Sequence, residues 1–174
     1  MKQSEVNPYN VLVTGNLGYI GPILTELLVK NGFEVVGYDV DYFRGTEIEE
    51  LNPKLSKQIR KDIRDIEQKD LEGIDAVIHL AGLSNDPLGD FNPDLTKVIN
   101  YDGTMKLCKL AKKSGVKRFV YASSQSMYGI SMVNEELDED TSEKNPLTAY
   151  AKTKWDAEVE IKKLCTEDFT VTCF

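Results

Sequence analysis

The first pattern with a chemical use is a glycine-rich turn. The stretch Gly15-Asn-Leu-Gly18-Tyr-Ile-Gly21 follows an apolar run and opens a segment with helical spacing. Its glycines allow a tight turn and let backbone N–H groups approach a pyrophosphate at the positive end of the helix dipole. Asp39 stands 18 positions after Gly21, close to the roughly 20-residue offset at which an acidic residue binds the ribose hydroxyls of a dinucleotide. The turn and Asp39 together predict a dinucleotide site.

The charge of Asp39 also indicates which dinucleotide binds. A carboxylate at this position would repel a 2′-phosphate, so the predicted cofactor is NAD rather than NADP. Arg44 lies nearby in the sequence and is the one residue that weakens this preference.

A second pattern could move a proton. Tyr150 and Lys154 stand four residues apart and therefore share one face of a helix. An ordinary phenol is a poor base at neutral pH, but a fixed lysine ammonium favours its phenolate. Upstream, Ser124 follows a predicted strand, and its hydroxyl could hydrogen-bond the oxygen on which Tyr150 acts. These residues and the glycine turn fit one dinucleotide-dependent site.

The elements that must position these residues alternate along the chain. Short apolar runs are each followed by a segment with helical spacing, which is typical of a doubly wound parallel sheet. The predicted strands are residues 10–14, 33–38, 57–61, 76–80, 118–123 and 169–174, with the polar third strand near an edge. One long helix is predicted to begin at Asn92-Pro93 and to end near Ser114-Gly115, and another to span residues 148–165. The predicted fold class is α/β, a Rossmann-type domain with helices on both faces of the sheet.

Composition excludes several classes of protein. The chain has 174 residues, enough for one domain with a real core. Its formal net charge of −8 argues against a nucleic-acid partner. The apolar runs are far shorter than the roughly 20 residues that span a membrane, and the first ten residues lack the apolar core of a secretory signal. A cytoplasmic location is therefore expected.

Cysteine and histidine, two residue types that bind transition metals, are sparse in this chain. Cys108, Cys165 and Cys173 have no ligand spacing and are expected to be reduced, buried thiols. His79, the single histidine, falls inside a strand pattern and is expected to be a satisfied core residue. No metal site is predicted.

The chain resembles a known family, the extended short-chain dehydrogenase/reductases, and in particular the NAD-dependent nucleotide-sugar epimerases and dehydratases. The motifs that carry the resemblance are Thr14-Gly-Asn-Leu-Gly-Tyr-Ile-Gly21, Asp39, Lys61-Asp-Ile-Arg64, His79-Leu-Ala-Gly82, Val98-Ile-Asn100, Ser123-Ser-Gln-Ser-Met-Tyr-Gly129 and Tyr150-x-x-x-Lys154. They extend over nearly the whole chain.

The resemblance assigns roles to individual residues. Around the turn formed by Gly15, Gly18 and Gly21, it implies that Tyr19 and Ile20 contact the pyrophosphate through their backbone and that Asp39 binds the adenosine ribose. The other implied cofactor contacts are Asp62 and Ile63 at the adenine and Leu80, Ala81, Gly82 and Ser84 beyond the fourth strand, with Asn100 supporting that region. Ser124 and Tyr150 would flank the reacting sugar hydroxyl. Lys154 would bind the nicotinamide ribose and tune Tyr150.

Two departures from the family narrow the predicted function. Dehydratases of the family carry an Asp-Glu pair where this chain has Gln125-Ser126, so a 4,6-dehydratase is not expected. Family members also continue into a C-terminal substrate-binding part, so residues 1–174 are expected to form the NAD-binding domain without it. A nucleotide-sugar epimerase is the favoured activity. A dehydrogenase or reductase using the same residues, and a dinucleotide-binding module without turnover, stay open.

The resemblance also predicts a homodimer. Family members pair through the helix after the fourth strand and the helix that carries the Tyr-Lys pair. The apolar residues proposed for this contact are Leu107, Leu110, Val159 and Leu164.

Overall fold

The computed structural model describes residues 9–46, 53–84, 86–130 and 136–174. The expectation about a secretory signal concerns residues that lie mostly outside these ranges.

Six parallel strands form one sheet in the order β3-β2-β1-β4-β5-β6. The strands are β1 (Asn10–Thr14), β2 (Glu34–Asp39), β3 (Lys57–Arg60), β4 (Ala76–His79), β5 (Arg118–Tyr121) and β6 (Thr170–Cys173). The chain leaves β1 towards one edge of the sheet and returns to its other side at β4. This reversal opens a crevice at the carboxyl ends of β1 and β4, where ligands bind in open α/β sheets. The predicted fold class is confirmed, as is the position of β3 at an edge.

Helices connect the strands. They are α1 (Gly21–Lys30), α2 (Asp86–Phe91), α3 (Pro93–Thr96), α4 (Thr104–Lys113) and α5 (Ala149–Lys162), with short 3₁₀ helices at Ile63–Asp65, Gln68–Leu71 and Gln125–Tyr128. The start predicted at Asn92 is confirmed, because its side chain accepts a hydrogen bond from the Leu95 N–H. The long helix predicted after it is not uniform: α3 passes through a π-helical segment, Lys97–Gly103, into α4. The sequence analysis also missed α2.

Both faces of the sheet carry helices because its strands are apolar on both sides. Val11 and Val13 lie on one face and pack with Leu24 and Leu28 of α1. Leu12 lies on the other face, in a larger core that includes residues of α4 and α5.

Two expectations about individual side chains are wrong. Leu107 is fully buried in the larger core, so it is not available for a contact between subunits. Of the three thiols expected to be buried, Cys165 is exposed, because it follows the end of α5 outside the core, and Cys173 is only half-buried at the end of the edge strand β6. Cys108 is buried, and burial raises the pKa of its thiol to about 12.

Candidate cofactor site and active site

The glycine turn lies directly between β1 and α1 and touches the chain after β4. The Gly15 N–H donates to the Tyr38 carbonyl of β2 (2.9 Å), and the Gly18 N–H donates to the Gly15 carbonyl (3.1 Å). A Cβ on Gly15 would lie 2.7 Å from the backbone nitrogen of Ala81, and a Cβ on Gly21 would lie 2.5 Å from Asn16 Cα. At these two positions, therefore, the turn has room for a hydrogen atom but not for a side chain.

The N-terminus of α1 is open. Within the described ranges no side chain caps it, and its first turn carries no acidic residue. By contrast, the Thr148 side chain caps α5 and the Asn92 side chain caps α3. Tyr19, just before α1, is 97% exposed. An uncapped helix end with positive partial charge beside a glycine turn fits a phosphate group.

Asp39 ends β2 beside this turn. One carboxylate oxygen accepts from the Leu17 N–H (3.0 Å) and the other from the Asp41 N–H (2.8 Å). Asp41 in turn pairs with Arg60 of β3 (2.8 Å). The predicted ribose-binding carboxylate is thus fixed against the turn that precedes α1.

Asp62 and Ile63, predicted at the adenine, follow β3. The Arg64 side chain donates to both oxygens of Asp62 (2.9 and 2.7 Å), and this contact holds the pKa of the carboxyl below its ordinary value. The Ile63 side chain is buried in the core.

The chain after β4 is held from behind by Asn100. Its side chain accepts from the Leu83 N–H (2.8 Å) and donates to the Leu83 carbonyl (3.0 Å), with the amide group buried in the π-helical segment. The loop that contains Leu80, Ala81, Gly82 and Ser84 is therefore fixed at the carboxyl edge of the sheet, next to the glycine turn. Asn85 lies outside the described residues.

His79 is a satisfied core residue, as predicted. Its Nδ1 lies 2.6 Å from Thr14 Oγ1 and its Nε2 lies 2.8 Å from Thr104 Oγ1. Since Thr104 donates its hydroxyl hydrogen to the Asn100 carbonyl (2.6 Å), Nε2 must be the donor and Nδ1 the acceptor. Burial, with a smaller contribution from the charge of Lys154, lowers the pKa of His79 to about 3. The ring is neutral across the physiological range.

Tyr150 and Lys154 both lie on α5, and their surroundings differ. Tyr150 is half-buried in the first turn, where the backbone of α2 at Gly89 packs against it. Lys154 is 6% exposed, and its ammonium lies 4.2 Å from the centroid of the Tyr121 ring. No carboxylate of the described residues lies within 4 Å of that ammonium. Burial lowers the pKa of Lys154 to about 8.

Ser124 follows β5 and begins a 3₁₀ helix. Its Oγ lies 2.6 Å from Ser126 Oγ and accepts from the Ser126 N–H (3.2 Å). The preceding Ser123 hydroxyl donates to the buried carboxylate of Glu158, which also binds Lys162 (2.5 Å). A cleft of about 230 Å³ opens here, lined by Ser123, Ser124, Gln125, Met127, Tyr128, Glu139, Glu158, Lys162, Cys173 and Phe174.

The predicted residues thus form two neighbouring groups at the carboxyl edge of the sheet. One comprises the glycine turn, Asp39 and the chain after β4. The other comprises Ser124 after β5 and Tyr150 and Lys154 on α5; Ser124 lines the cleft, and Tyr150 and Lys154 are not among the residues that line it. The sequence analysis missed Asn16 and Gln58, whose side chains bond each other beside the turn. It also missed Glu158, although its position four residues after Lys154 places it on the same helix face.

Among the described residues, no helix combines the length and the apolar character needed to cross a bilayer.

Known proteins share this sequence and fold. The model of the NAD dependent epimerase/dehydratase family matches residues 11–174. The UDP-glucuronate 4-epimerase of Thermodesulfobacterium geofontis is 36% identical over 163 residues, which are 85% of this chain and 49% of that protein. The dTDP-D-glucose 4,6-dehydratase of Mus musculus is 33% identical over 159 residues, 85% of this chain and 44% of the relative.

A solved structure of similar fold contains the predicted cofactor. The UDP-glucose-4-epimerase of Stenotrophomonas maltophila, with bound NAD and formylated UDP-arabinopyranose, superimposes with a TM-score of 0.84 at 26% identity, covering 95% of this chain and 52% of that one. The chain spans about half the length of the relatives it matches. At the level of the family, NAD is confirmed as the cofactor. The resemblance seen in the sequence is also confirmed: the chain belongs to the NAD-dependent epimerase/dehydratase family.

Proposed function

We propose that this chain is the NAD-binding part of a nucleotide-sugar epimerase. The observation that carries the proposal is the position of Lys154, a buried ammonium without a carboxylate within 4 Å in the described ranges, one helical turn after Tyr150. Residues four positions apart on a helix share one face, so Tyr150 and Lys154 can serve the same site. This arrangement lies at the same sheet edge as the open N-terminus of α1.

The residues at that edge fit a dinucleotide. The glycine turn and the backbone of Tyr19 and Ile20 would bind the pyrophosphate, and Asp39 would bind the adenosine ribose. Asp62 and Ile63 would border the adenine, while the loop from Leu80 to Ser84, supported by Asn100, would line the remainder. The chemistry that the nicotinamide supplies when bound is to accept a hydride and to give it back.

The chain's own residues would manage the proton. Tyr150 would remove a proton from a sugar hydroxyl and later return one to the same oxygen. Ser124 would donate a hydrogen bond to that oxygen, which requires its hydroxyl to turn from Ser126 towards the substrate. Lys154 would hold the nicotinamide ribose and keep Tyr150 available as a base. Returning hydrogen to the opposite face of the sugar carbon would invert it.

A dehydratase is disfavoured by the residues that follow Ser124. Gln125 and Ser126 carry no ionisable carboxyl group with which to protonate a leaving hydroxyl. A dehydrogenase or reductase would use the same Tyr150, Lys154 and Ser124, and it would change the redox state of the cofactor over a complete turnover.

We also propose a homodimer, with Leu110, Val159 and Leu164 as the remaining candidate contacts. All three are half-buried: Leu110 lies on α4, Val159 lies on α5, and Leu164 follows the end of α5. Light scattering at tens of micromolar tests this proposal, and a monomeric mass would contradict it.

Incubation with NAD and a UDP-sugar tests the proposed activity. The enzyme of which this chain is proposed to be the NAD-binding part is incubated with NAD and either UDP-glucose or UDP-glucuronate, and products are followed by NMR while NADH is followed by absorbance. The proposal predicts an epimerised sugar without net NADH, and loss of nearly all turnover in Tyr150→Phe. Tyr9→Phe, at a tyrosine before β1, is the matched control and should keep full activity. Net NADH would instead support a dehydrogenase, and NAD binding without any product would support a binding module.

A further inference from the structure

An amide pair joins the glycine turn to a strand that is not its neighbour. Asn16 lies in the turn and is 1% exposed. Its Nδ2 donates to Gln58 Oε1 (2.8 Å), and Gln58 Nε2 donates back to Asn16 Oδ1 (3.1 Å). Gln58 belongs to β3, whereas the turn follows β1, so the pair spans the intervening strand β2.

Gly37 of β2 makes this pair possible. In the sheet register Gly37 stands opposite Val13 of β1 on one side and Gln58 of β3 on the other. A Cβ on Gly37 would lie 2.5 Å from Asn16 Nδ2 and closer still to Gln58 Oε1. Any larger residue would therefore displace both amide groups.

The pair completes a set of three contacts that fix successive residues of the turn. The Gly15 N–H is bound to Tyr38 and the Leu17 N–H to Asp39, both on β2. Between them, the Asn16 side chain is bound to Gln58. These contacts orient the turn without using the open N-terminus of α1, which remains free for an anion.

We propose that Gln58 is a positioning residue for the phosphates of the dinucleotide, acting through Asn16. The proposal rests on the NAD binding proposed above. Without Gln58, the buried Asn16 amide loses its partners, and a buried polar group without partners is unfavourable. The unliganded turn then adopts other conformations. The free energy needed to order it on binding lowers the affinity for the ligand.

The test compares ligands with and without phosphates. Gln58→Met keeps the length of the side chain and removes its polar atoms; Gln68→Met, at an exposed glutamine, is the matched control. Each protein is titrated with NAD, ADP and adenosine by calorimetry or NMR, well below its thermal unfolding midpoint. We expect Gln58→Met to weaken NAD and ADP binding roughly three- to tenfold and to leave adenosine binding within about twofold. Gln68→Met should match the wild type for all three ligands.

A double-mutant cycle supplies an independent check. Because Gln58 acts through Asn16, adding Gln58→Met to Asn16→Ala should weaken NAD binding no further. Equal losses for NAD and adenosine in Gln58→Met would indicate general structural damage and overturn the proposal. Wild-type NAD affinity in Gln58→Met would overturn it as well, while leaving the proposed NAD binding intact. Failure of the wild type itself to bind NAD would overturn both.

Discussion

The turn after β1 and the loop after β5 both lead from a strand end into a helical turn, but they are stabilised differently. The turn after β1 is bound through Tyr38, Gln58 and Asp39, and the helix that follows it has no side-chain cap among the described residues. In the loop after β5, the hydroxyl of Ser124 is hydrogen-bonded to that of Ser126, and the hydroxyl of Ser123 donates to Glu158. Ser123, Ser124 and Glu158 line the cleft.

The difference is consistent with the ligand proposed for each region. Where a charged ligand supplies the cap, the helix end is left open and the turn is fixed from behind. Where a sugar hydroxyl is proposed to react, the polar side chains are the hydroxyls of Ser123 and Ser124, each hydrogen-bonded to another side chain. The turn, Asp39 and the open end of α1 are the parts of this chain that are proposed to bind the dinucleotide, and the cleft beside Ser124 is a separate feature after β5.

The largest effect is expected from adding one carbon to the turn. In Gly21→Ala the new Cβ must displace the backbone of Asn16, so we expect a loss of about 3 kcal/mol in the free energy of unfolding and NAD affinity reduced more than about a hundredfold. Gly73→Ala is the control. Gly73 has a positive φ of 72°, which Gly21 does not, but no atom lies within 4 Å of its Cβ position, so NAD binding should persist. Wild-type affinity for NAD in Gly21→Ala would contradict the claim that the glycine turn, unlike the loop after β5, binds the charged ligand.

His79 joins the two regions, since it bonds to Thr14 beneath the turn and stacks on Tyr121, 5.7 Å away, beneath Lys154. Its pKa of about 3 lies below its ordinary value of 6.5. Below pH 6.5 the unfolded chain binds a proton that the folded chain does not, so stability falls as the pH drops towards 3. We expect the wild type to lose on the order of 3 kcal/mol in this window through His79. Denaturant unfolding of His79→Asn should show a correspondingly shallower acid dependence; parallel curves would contradict this account.

Replacing Asp39 tests the role of its negative charge at the predicted ribose contact. Asp39→Asn keeps an acceptor for the Leu17 N–H but removes the charge, so we expect NAD to bind about tenfold more weakly and NADP to gain relative to NAD. Calorimetric titration with both dinucleotides measures this, with Asp156→Asn on the exposed side of α5 as control. If the ratio of the two affinities does not change, Asp39 is not the ribose contact.

Lys154 gives the smallest expected effect on stability. Its pKa of about 8 lies below the ordinary 10.5 because burial penalises the ammonium. The penalty is fully present below pH 8 and disappears as the pH rises towards 10.5. Lys154→Met should therefore stabilise the chain by about 1–2 kcal/mol at pH 7, and the gain should shrink at higher pH, while NAD binding weakens. Thermal unfolding against pH measures this, and the exposed Lys152→Met should show neither change.

The sequence predicts the strands, the glycine turn and the Tyr150 helix because each depends on local patterns. The contacts between distant residues do not follow from such patterns. Asn16 and Gln58 are separated by 42 positions, and Ser123 and Glu158 by 35. The order of the strands brings the first pair together, and the packing of α5 against the loop after β5 brings the second pair together. The π-helical segment and the burial of Leu107 likewise depend on how the helices pack. Helical spacing places Leu107 on the apolar face of a helix, but it does not show whether that face packs in the core or against another subunit.

The measurement that tests the central claim most directly is calorimetric titration of this chain with NAD and, separately, with NADP. The account predicts clear binding of NAD and much weaker binding of NADP, because the open end of α1, the fixed turn and Asp39 all belong to this chain. A folded sample that binds neither dinucleotide, or that binds NADP as well as NAD, would contradict it.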